Sequence, residues 1–237
     1  MNSTPTASRV VRLASVDSTQ RYAAELAAAG AADGTVVVAD TQTAGRGRRG
    51  RVWDDTPGAS LLLSIVIRSS LAPALLPTLS LAAGVAVAEA LETAASVTAR
   101  LKWPNDVLVD GRKIAGILLE RHGTAVVLGA GVNVSQRSFP EALATRATSV
   151  AREGGRADRE AILPAVLDAI GRWRERLERE GFEAVRARWA ALATLGGQVR
   201  VDGVAGVALG LDDDGALLVG TVSGAVRVLA GDVVELG

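Results

Sequence analysis

The chain has 237 residues, 49% of them apolar, with Lys+Arg and Asp+Glu balanced at 26 each and a formal net charge of zero. That length and apolar content support one substantial core and a small second one, while the charge balance excludes a long-range basic field for nucleic acid or an anionic membrane. Zero cysteines exclude a disulfide scaffold, a thiol nucleophile and a thiolate metal site, and a single histidine, His122, excludes a multi-histidine metal site.

Residues 1–12 are polar and lack the charged-then-apolar order of a secretory signal. No apolar run approaches the roughly 18 residues of a membrane helix, so a cytosolic protein without a membrane partner is expected. Ser18 and Thr19 precede a run over 20–29 with Tyr22 and Leu26 at helical spacing, which predicts a helix with these hydroxyls at its N-cap. Residues 35–39 (TVVVA) read as a buried strand feeding a basic loop, and 60–67 (SLLLSIVI) as the strand that leaves it. Pro73 and Pro77 mark a turn before a core helix over 79–95, where Leu81, Val85, Ala88 and Leu91 recur at helical spacing. A meander of short strands follows at 99–103, 107–109, 113–120 and 124–134, with the hairpin signal Asp110-Gly111 inside it. His122 reads as a strand-end or surface residue rather than a general base.

Residues 146–158 are polar and glycine-rich, which predicts a surface loop. The run 159–180 is amphipathic, with Ile162, Val166, Ile170, Trp173 and Leu177 on its apolar face, and another helix covers about 182–193. After Gly196-Gly197 the pattern changes to five short strands at 198–201, 206–211, 216–220, 225–229 and 232–236, which predicts a small barrel. The expected fold class is therefore α+β, with a mixed or antiparallel sheet and flanking helices over 1–194 and a small barrel over 195–237.

The segment 45–53 (GRGRRGRVW) packs four arginines and three glycines into nine residues of an otherwise apolar protein. Arginine presents a planar fork of donors to carboxylate or phosphate oxygens, and glycine lets backbone amides approach the same anion. Two readings fit the composition: an anion-binding loop within a domain, or an arginine-glycine module for nucleic acid. The flanking strands place the segment inside a domain, and aromatics at 3% leave no stacking platforms for single strands. Four like charges repel one another until an anion arrives, which predicts a loop that is mobile without ligand. Lys102 and Lys113 are the two lysines; every other Lys/Arg position is arginine. A compact ammonium follows a moving oxygen better than a planar guanidinium does.

Five segments in this order carry a resemblance: Asp17-Ser18-Thr19, QTAGRGRRG at 42–50, Lys102-Trp103-Pro104-Asn105-Asp106, GRKIAGILLE at 111–120, and Gly129-Ala130-Gly131-Val132-Asn133. Together they resemble the biotin protein ligases, also called biotin–acetyl-CoA-carboxylase ligases, from about residue 13 to the end of the chain. The resemblance implies a class II synthetase-like catalytic domain followed by an SH3-like barrel. It also implies a two-step reaction: the biotin carboxylate attacks the α-phosphate of ATP to give biotinyl-adenylate, and a lysine of a carrier domain then takes the biotinyl group. The implied ligands are biotin, ATP and Mg2+, and the implied protein partner is the biotin carboxyl carrier domain of an acyl-CoA or pyruvate carboxylase. Nucleic acid is not an expected partner, and the chain is expected to be a monomer or homodimer.

By the same resemblance, Ser18, Thr19, Gln20 and Gln42 line the biotin pocket, with Gly45, Leu118, Gly129 and Gly131 in its walls. Arg46, Gly47 and Arg48 close over the biotin carboxylate and adenylate phosphate, and Arg49 joins at the nucleotide. Lys113 bridges carboxylate and phosphoryl oxygen and is the first catalytic candidate. Asn105 and Asn133 face the adenine, Asp106 serves magnesium or the acceptor amine, and Gly116 allows close approach. Lys102 either approaches the phosphates or satisfies local charge, and Trp103 is structural. Trp53 either packs the closed loop or is a half-buried strand aromatic. The family commonly has asparagine after Ser-Thr where this chain has Gln20, one methylene longer. Only some twelve residues precede the match, so no DNA-binding winged helix is expected. A lipoate-type ligase of the same fold is the rival enzyme.

Overall fold

The computed structural model describes residues 9–236; residues 1–8 and Gly237, with the expectations placed on them, lie outside that range. In chain order the elements are β1 (Val10–Leu13), α1 (Thr19–Ala28), β2 (Val36–Ala39), β3 (Ser60–Ile67), α2 (Thr78–Ala95), β4 (Arg100–Lys102), β5 (Asp106–Val109), β6 (Arg112–His122), β7 (Ala125–Asn133), α3 (Arg159–Glu180) and α4 (Glu183–Leu192). The C-terminal strands are β8 (Gln198–Val201), β9 (Val204–Leu211), β10 (Leu217–Thr221), β11 (Gly224–Val228) and β12 (Val234–Glu235). Seven strands form one sheet in the order β1-β2-β3-β7-β6-β5-β4. It is mixed, as expected: β1 runs parallel to β2 and every other pair is antiparallel.

The period of two in the strands decides what each face does. On β3, Leu61, Leu63, Ile65 and Ile67 point into the main core, which they share with Leu128, Ala130 and Val132 of β7 and with α2 and α3. Val66 of β3 and Val127 of β7 instead pack against Ala23 and Ala27 of α1 on the opposite face. That second face also carries Ser64, Gly129, Gly131, Gly116 and Leu118, and α1 covers only part of it, leaving a cleft beside the helix. The eight residues of β3 are all buried because both faces are covered.

The apolar face of α3 is buried at Ile162, Val166, Ile170, Trp173 and Leu177, as its spacing predicts. Three helices meet at Glu89, whose carboxylate accepts from Trp173 Nε1 at 2.8 Å and Arg188 Nε at 2.7 Å. The start of α3 is capped by Asp158, which accepts from the backbone N–H of Glu160 and of Ala161. Replacing Asp158 by Ala is expected to cost about 1 kcal/mol of stability, read as a shift of the urea midpoint at unchanged slope.

Five expectations change. The polar N-terminal stretch contains β1, an edge strand of alternating exposure that short length and Arg12 concealed. Segment Pro73–Ala95 is long and apolar enough to cross a membrane by length and composition, yet in this fold it supplies the buried α2. Ser18 occupies the N-cap of α1, but neither hydroxyl caps it: Ser18 makes no cap bond, and Thr19 Oγ1 donates to Gln42 Oε1 at 3.0 Å. The 146–158 segment is only partly a surface loop, because Ala147, Thr148, Ser149 and Val150 are buried and Ala147 bridges to Lys113. The C-terminal strands form an open antiparallel sheet, β11-β10-β9-β8-β12, instead of a closed barrel. This sheet is joined to the rest through the continuous core and through Trp103 Nε1, which donates to Gly215 O at 3.0 Å.

Candidate functional site

One cleft of about 610 Å³ opens on the α1 face of the sheet and runs toward the C-terminal strands. Its two ends differ in chemistry.

The inner end is polar and nearly closed. Ser18, Thr19 and Gln20 at the start of α1 are all buried, as is Ser64 on β3. Thr19 donates twice to Gln42 Oε1, from its backbone N at 2.7 Å and its hydroxyl at 3.0 Å. Ser64 Oγ lies 3.0 Å from Thr19 Oγ1 and 3.2 Å from Gln20 Oε1, and Gln20 Nε2 donates to Val127 O at 3.0 Å. Ser18 Oγ is buried with no hydrogen-bond partner among the described residues. A buried polar atom costs free energy unless something bonds it, so this end is built for a ligand carrying its own donors and acceptors. Asp55 supports the wall, its carboxylate accepting from Gln42 N at 3.4 Å, and burial raises its pKa above the ordinary aspartate value.

Two glycines form the floor of the middle. A Cβ on Gly131 would meet the Trp53 ring at 2.7 Å, and one on Gly116 would meet Lys113 Cε and Nζ at 2.9 Å. Trp53 therefore lies over the floor where β6 and β7 lack side chains: it is half-buried, outside any strand, and it packs the basic loop onto the sheet. Leu118 adds an apolar wall, and Gly129 faces Gln20 Oε1, which a Cβ there would meet at 2.5 Å.

The outer end is cationic. Residues 45–53 fold as a tight hairpin, with Trp53 N donating to Gly45 O at 3.0 Å and Gly47 N to Arg51 O at 2.8 Å. The mutual repulsion expected of four bare guanidiniums is offset in part by carboxylate partners. Arg46 pairs with Glu120 at 2.8 Å, Arg51 with Asp232 at 2.9 Å, and Arg49 with Asp202 at 3.2 Å and Asp232 at 3.8 Å. Among the described residues Arg48 has no carboxylate partner of its own: it donates to Asn105 Oδ1 at 3.3 Å and to Gly231 O at 3.5 Å. Burial lowers the Arg48 pKa from the ordinary arginine value, opposed by Asp232 and reinforced by Arg49 and Arg51. It is the guanidinium with most to gain from an anion.

Lys113 stands between the two ends. Its backbone is clamped by the 146–150 segment, N donating to Arg146 O at 2.8 Å and O accepting from Thr148 N at 2.9 Å. Its Nζ lies 2.5 Å from Asp106 Oδ1 and 5.8 Å from the centre of the Trp53 ring. Lys102 lies at the rim, 3.9 Å from Glu235. Asn105 Nδ2 donates to Ile117 O at 2.7 Å, and Asn133 spans Thr148 O at 2.9 Å and Gln136 Nε2 at 3.3 Å, so both amides are engaged within the wall.

These segments are the ones that carry the resemblance, and comparison with known proteins agrees. Residues 13–135 match the biotin/lipoate A/B protein ligase family. The biotin–[acetyl-CoA-carboxylase] ligase of Paracoccus denitrificans is 38% identical over 93% of this chain and 98% of its own length. The chain belongs to this family. The bifunctional ligase/repressor BirA of Bacillus subtilis is 37% identical over 94% of the chain and 72% of its own length. A biotin protein ligase from Aquifex aeolicus, solved in complex with biotin and ATP, superposes with a TM-score of 0.87 at 33% identity, covering 96% of this chain and 98% of that one.

Within this family frame, every candidate named from the sequence borders the cleft except Gly45 and Arg49, which sit at the base and tip of the basic hairpin. Sequence reasoning missed Ser64, Glu120, Asp202 and Asp232. Ser64 left a readable signal: a hydroxyl flanked by aliphatics inside the SLLLSIVI strand, on the face opposite Leu63 and Ile65. The three acids left none, because their partnership with the basic loop is purely tertiary.

Proposed function

We propose that the chain activates biotin with ATP to form biotinyl-5'-AMP and transfers the biotinyl group to a lysine of a biotin carboxyl carrier domain. One observation carries the reading: a single cleft joins a closed end of hydroxyls and amides to an open end of guanidiniums with an amine between them. The ureido ring of biotin suits the first end, since its two N–H groups and one carbonyl need partners of both kinds. The biotin carboxylate and the ATP phosphates suit the second, where cations offset the repulsion between two anions brought together.

In the first step a carboxylate oxygen of biotin forms a bond to the α-phosphorus, and the bond to the β-phosphate breaks to release pyrophosphate. Lys113 bridges the two reacting groups, and Arg46 and Arg48 cover them. In the second step the acceptor amine bonds the acyl carbon, the C–O bond to AMP breaks, and Asp106, a carboxylate on the cleft wall, is assigned to receive the amine proton. The adenosine rests against the wall that Asn105 and Asn133 brace.

Magnesium normally arrives on the nucleotide and needs only one or two protein oxygens. No cluster of three acidic or histidine side chains is found among the described residues, and Asp106 on the cleft wall supplies one oxygen, which fits an ion delivered by ATP. When bound it would neutralise phosphoryl charge. The acceptor is assigned to an acyl-CoA or pyruvate carboxylase, and the cytoplasm is the proposed location. Incubation with biotin, ATP, magnesium and a carrier domain, read by mass, is expected to add one biotinyl group to the carrier. Addition from lipoate but not from biotin would overturn the reading.

A further inference from the structure

We infer that Glu153, which lies outside the cleft, is a positioning residue for Lys113: through Thr148 and Arg112 it pins the segment that holds the start of β6, and so the amine, in place. The inference rests on the biotin reading above and extends it to a residue that touches no ligand. The aim of Lys113 is not set by the strand alone. Pairing between β5 and β6 slips by one residue, Val107 lying opposite Ala115 and Leu108 opposite Lys113, so Ile114 is the extra residue of a β-bulge. Ile114 and Ala115 are consecutive and both join the main core, whereas Lys113 and Gly116 both line the cleft. Without the extra residue, alternation would put Lys113 on the core face with Ala115 and Ile117. On the other side of β6 the ladder with β7 begins only at Ala115, opposite Val132. There Lys113 takes its backbone bonds from the 146–148 segment instead, N donating to Arg146 O at 2.8 Å and O accepting from Thr148 N at 2.9 Å.

That segment belongs to no helix or named strand, so bonds from its own residues must hold it. Glu153 supplies the charged ones. Its carboxylate, on a side chain 12% exposed, accepts from Thr148 Oγ1 and, on the same oxygen, from Arg112 Nη2 at 2.9 Å. Arg112 immediately precedes Lys113, and Thr148 grips the Lys113 carbonyl, so one oxygen ties the two sides of the clamp together. Hydrogen bonds to an ionised acceptor are about twice as strong as neutral ones, and a largely buried pair is little screened by salt. Thr148 O in turn accepts from Asn133 Nδ2 at 2.9 Å, which carries the same frame to the wall braced for the nucleotide. The turn that bears Glu153 is itself seated. Glu153 N donates to Ser149 O at 3.1 Å, and Gly155 packs so closely on the end of α2 that a Cβ there would stand 2.6 Å from Ala95 O.

Biotin-dependent pyrophosphate exchange is measured for the wild type, Glu153→Ala, Lys113→Ala and the double variant, with biotin affinity followed by calorimetry. Glu153→Ala is expected to lower the exchange rate about 10- to 100-fold, the upper figure being the usual cost of misplacing a reacting group by about 1 Å, and to leave the biotin dissociation constant within about twofold. Added to Lys113→Ala, it should change the residual rate less than about twofold, because a residue that acts through the amine then has nothing left to act on. A merely structural role would lower exchange by the same factor with and without Lys113. Either that result or an unchanged rate in Glu153→Ala overturns the inference. Should Glu153→Ala fail to fold, the same cycle with Thr148→Val, which removes the hydroxyl and keeps the backbone bonds, decides by the same criteria. Absence of biotin-dependent exchange by the wild type is a separate result that overturns the functional reading and this inference with it.

Discussion

Replacing Lys113 by Ala is expected to slow biotinyl-adenylate formation by about 10²- to 10³-fold, the usual effect of removing one preorganised donor from a developing charge. Affinity for biotin alone should change far less, because the polar end of the cleft is untouched. The expectation rests on how firmly the amine is held. The backbone of Lys113 is bonded on both sides by the 146–150 segment, its stem lies over Gly116, and its Nζ is 2.5 Å from Asp106. Holding the amine in place before reaction is what makes its charge effective, since nothing need reorganise at the moment of transfer. Lys113→Arg should not rescue the rate. The space over Gly116 that takes the Lys113 stem and ammonium is bounded by the Trp53 ring, 3.1 Å from a Cβ placed there, and a planar guanidinium is larger than an ammonium. Pyrophosphate exchange measures the step directly. A Lys113→Ala protein that exchanges at the wild-type rate removes this residue from the chemistry.

Much of this arrangement was legible in the sequence, and the reason differs by element. Strand β3 and helix α3 fall at their expected residues because strong periodicity and flanking turns point the same way. The Asp110-Gly111 turn is equally direct, since both residues adopt positive φ, 47° and 74°. Strand β1 was hidden because an edge strand of four residues with an arginine carries almost no pattern. The burial of Thr148 and Ser149 was hidden for a related reason: polar residues read as surface, but here they bond inward, Asn133 Nδ2 to Thr148 O and Ser149 Oγ to Gln136 O. At the site, the basic loop and the Ser18-Thr19 pair were visible as chemistry, whereas their partners were not. Nothing local to Asp202 or Asp232 says that each lies opposite an arginine some 150 to 180 positions earlier.

Those two acids lead to the second large effect. Asp232→Arg is expected to accelerate amide exchange at Gly47 and Trp53 roughly 10- to 30-fold in the ligand-free protein, because exposed ion pairs and like-charge contacts are each worth up to about 1 kcal/mol and 1.4 kcal/mol is tenfold. The substitution removes the partner of Arg51 and one partner of Arg49, and sets a fourth guanidinium among Arg48, Arg49 and Arg51. Gly47 and Trp53 report the hairpin because their N–H groups close it, on Arg51 O and Gly45 O. Their exchange follows the opening equilibrium, so lost closing energy reads out as rate. The pairs are well suited to temporary use. With Arg51 at 59% and Asp232 at 40% side-chain exposure, water screens the attraction, and a polyphosphate with several charges can take the arginines from the carboxylates at little cost. Biotin plus ATP should therefore bring the exchange of the variant back to within about threefold of the liganded wild type, because the ligand then supplies the anion that position 232 no longer provides. Equal exchange in the two ligand-free proteins would mean that the Trp53 ring on its glycine floor, and not charge, keeps the hairpin shut.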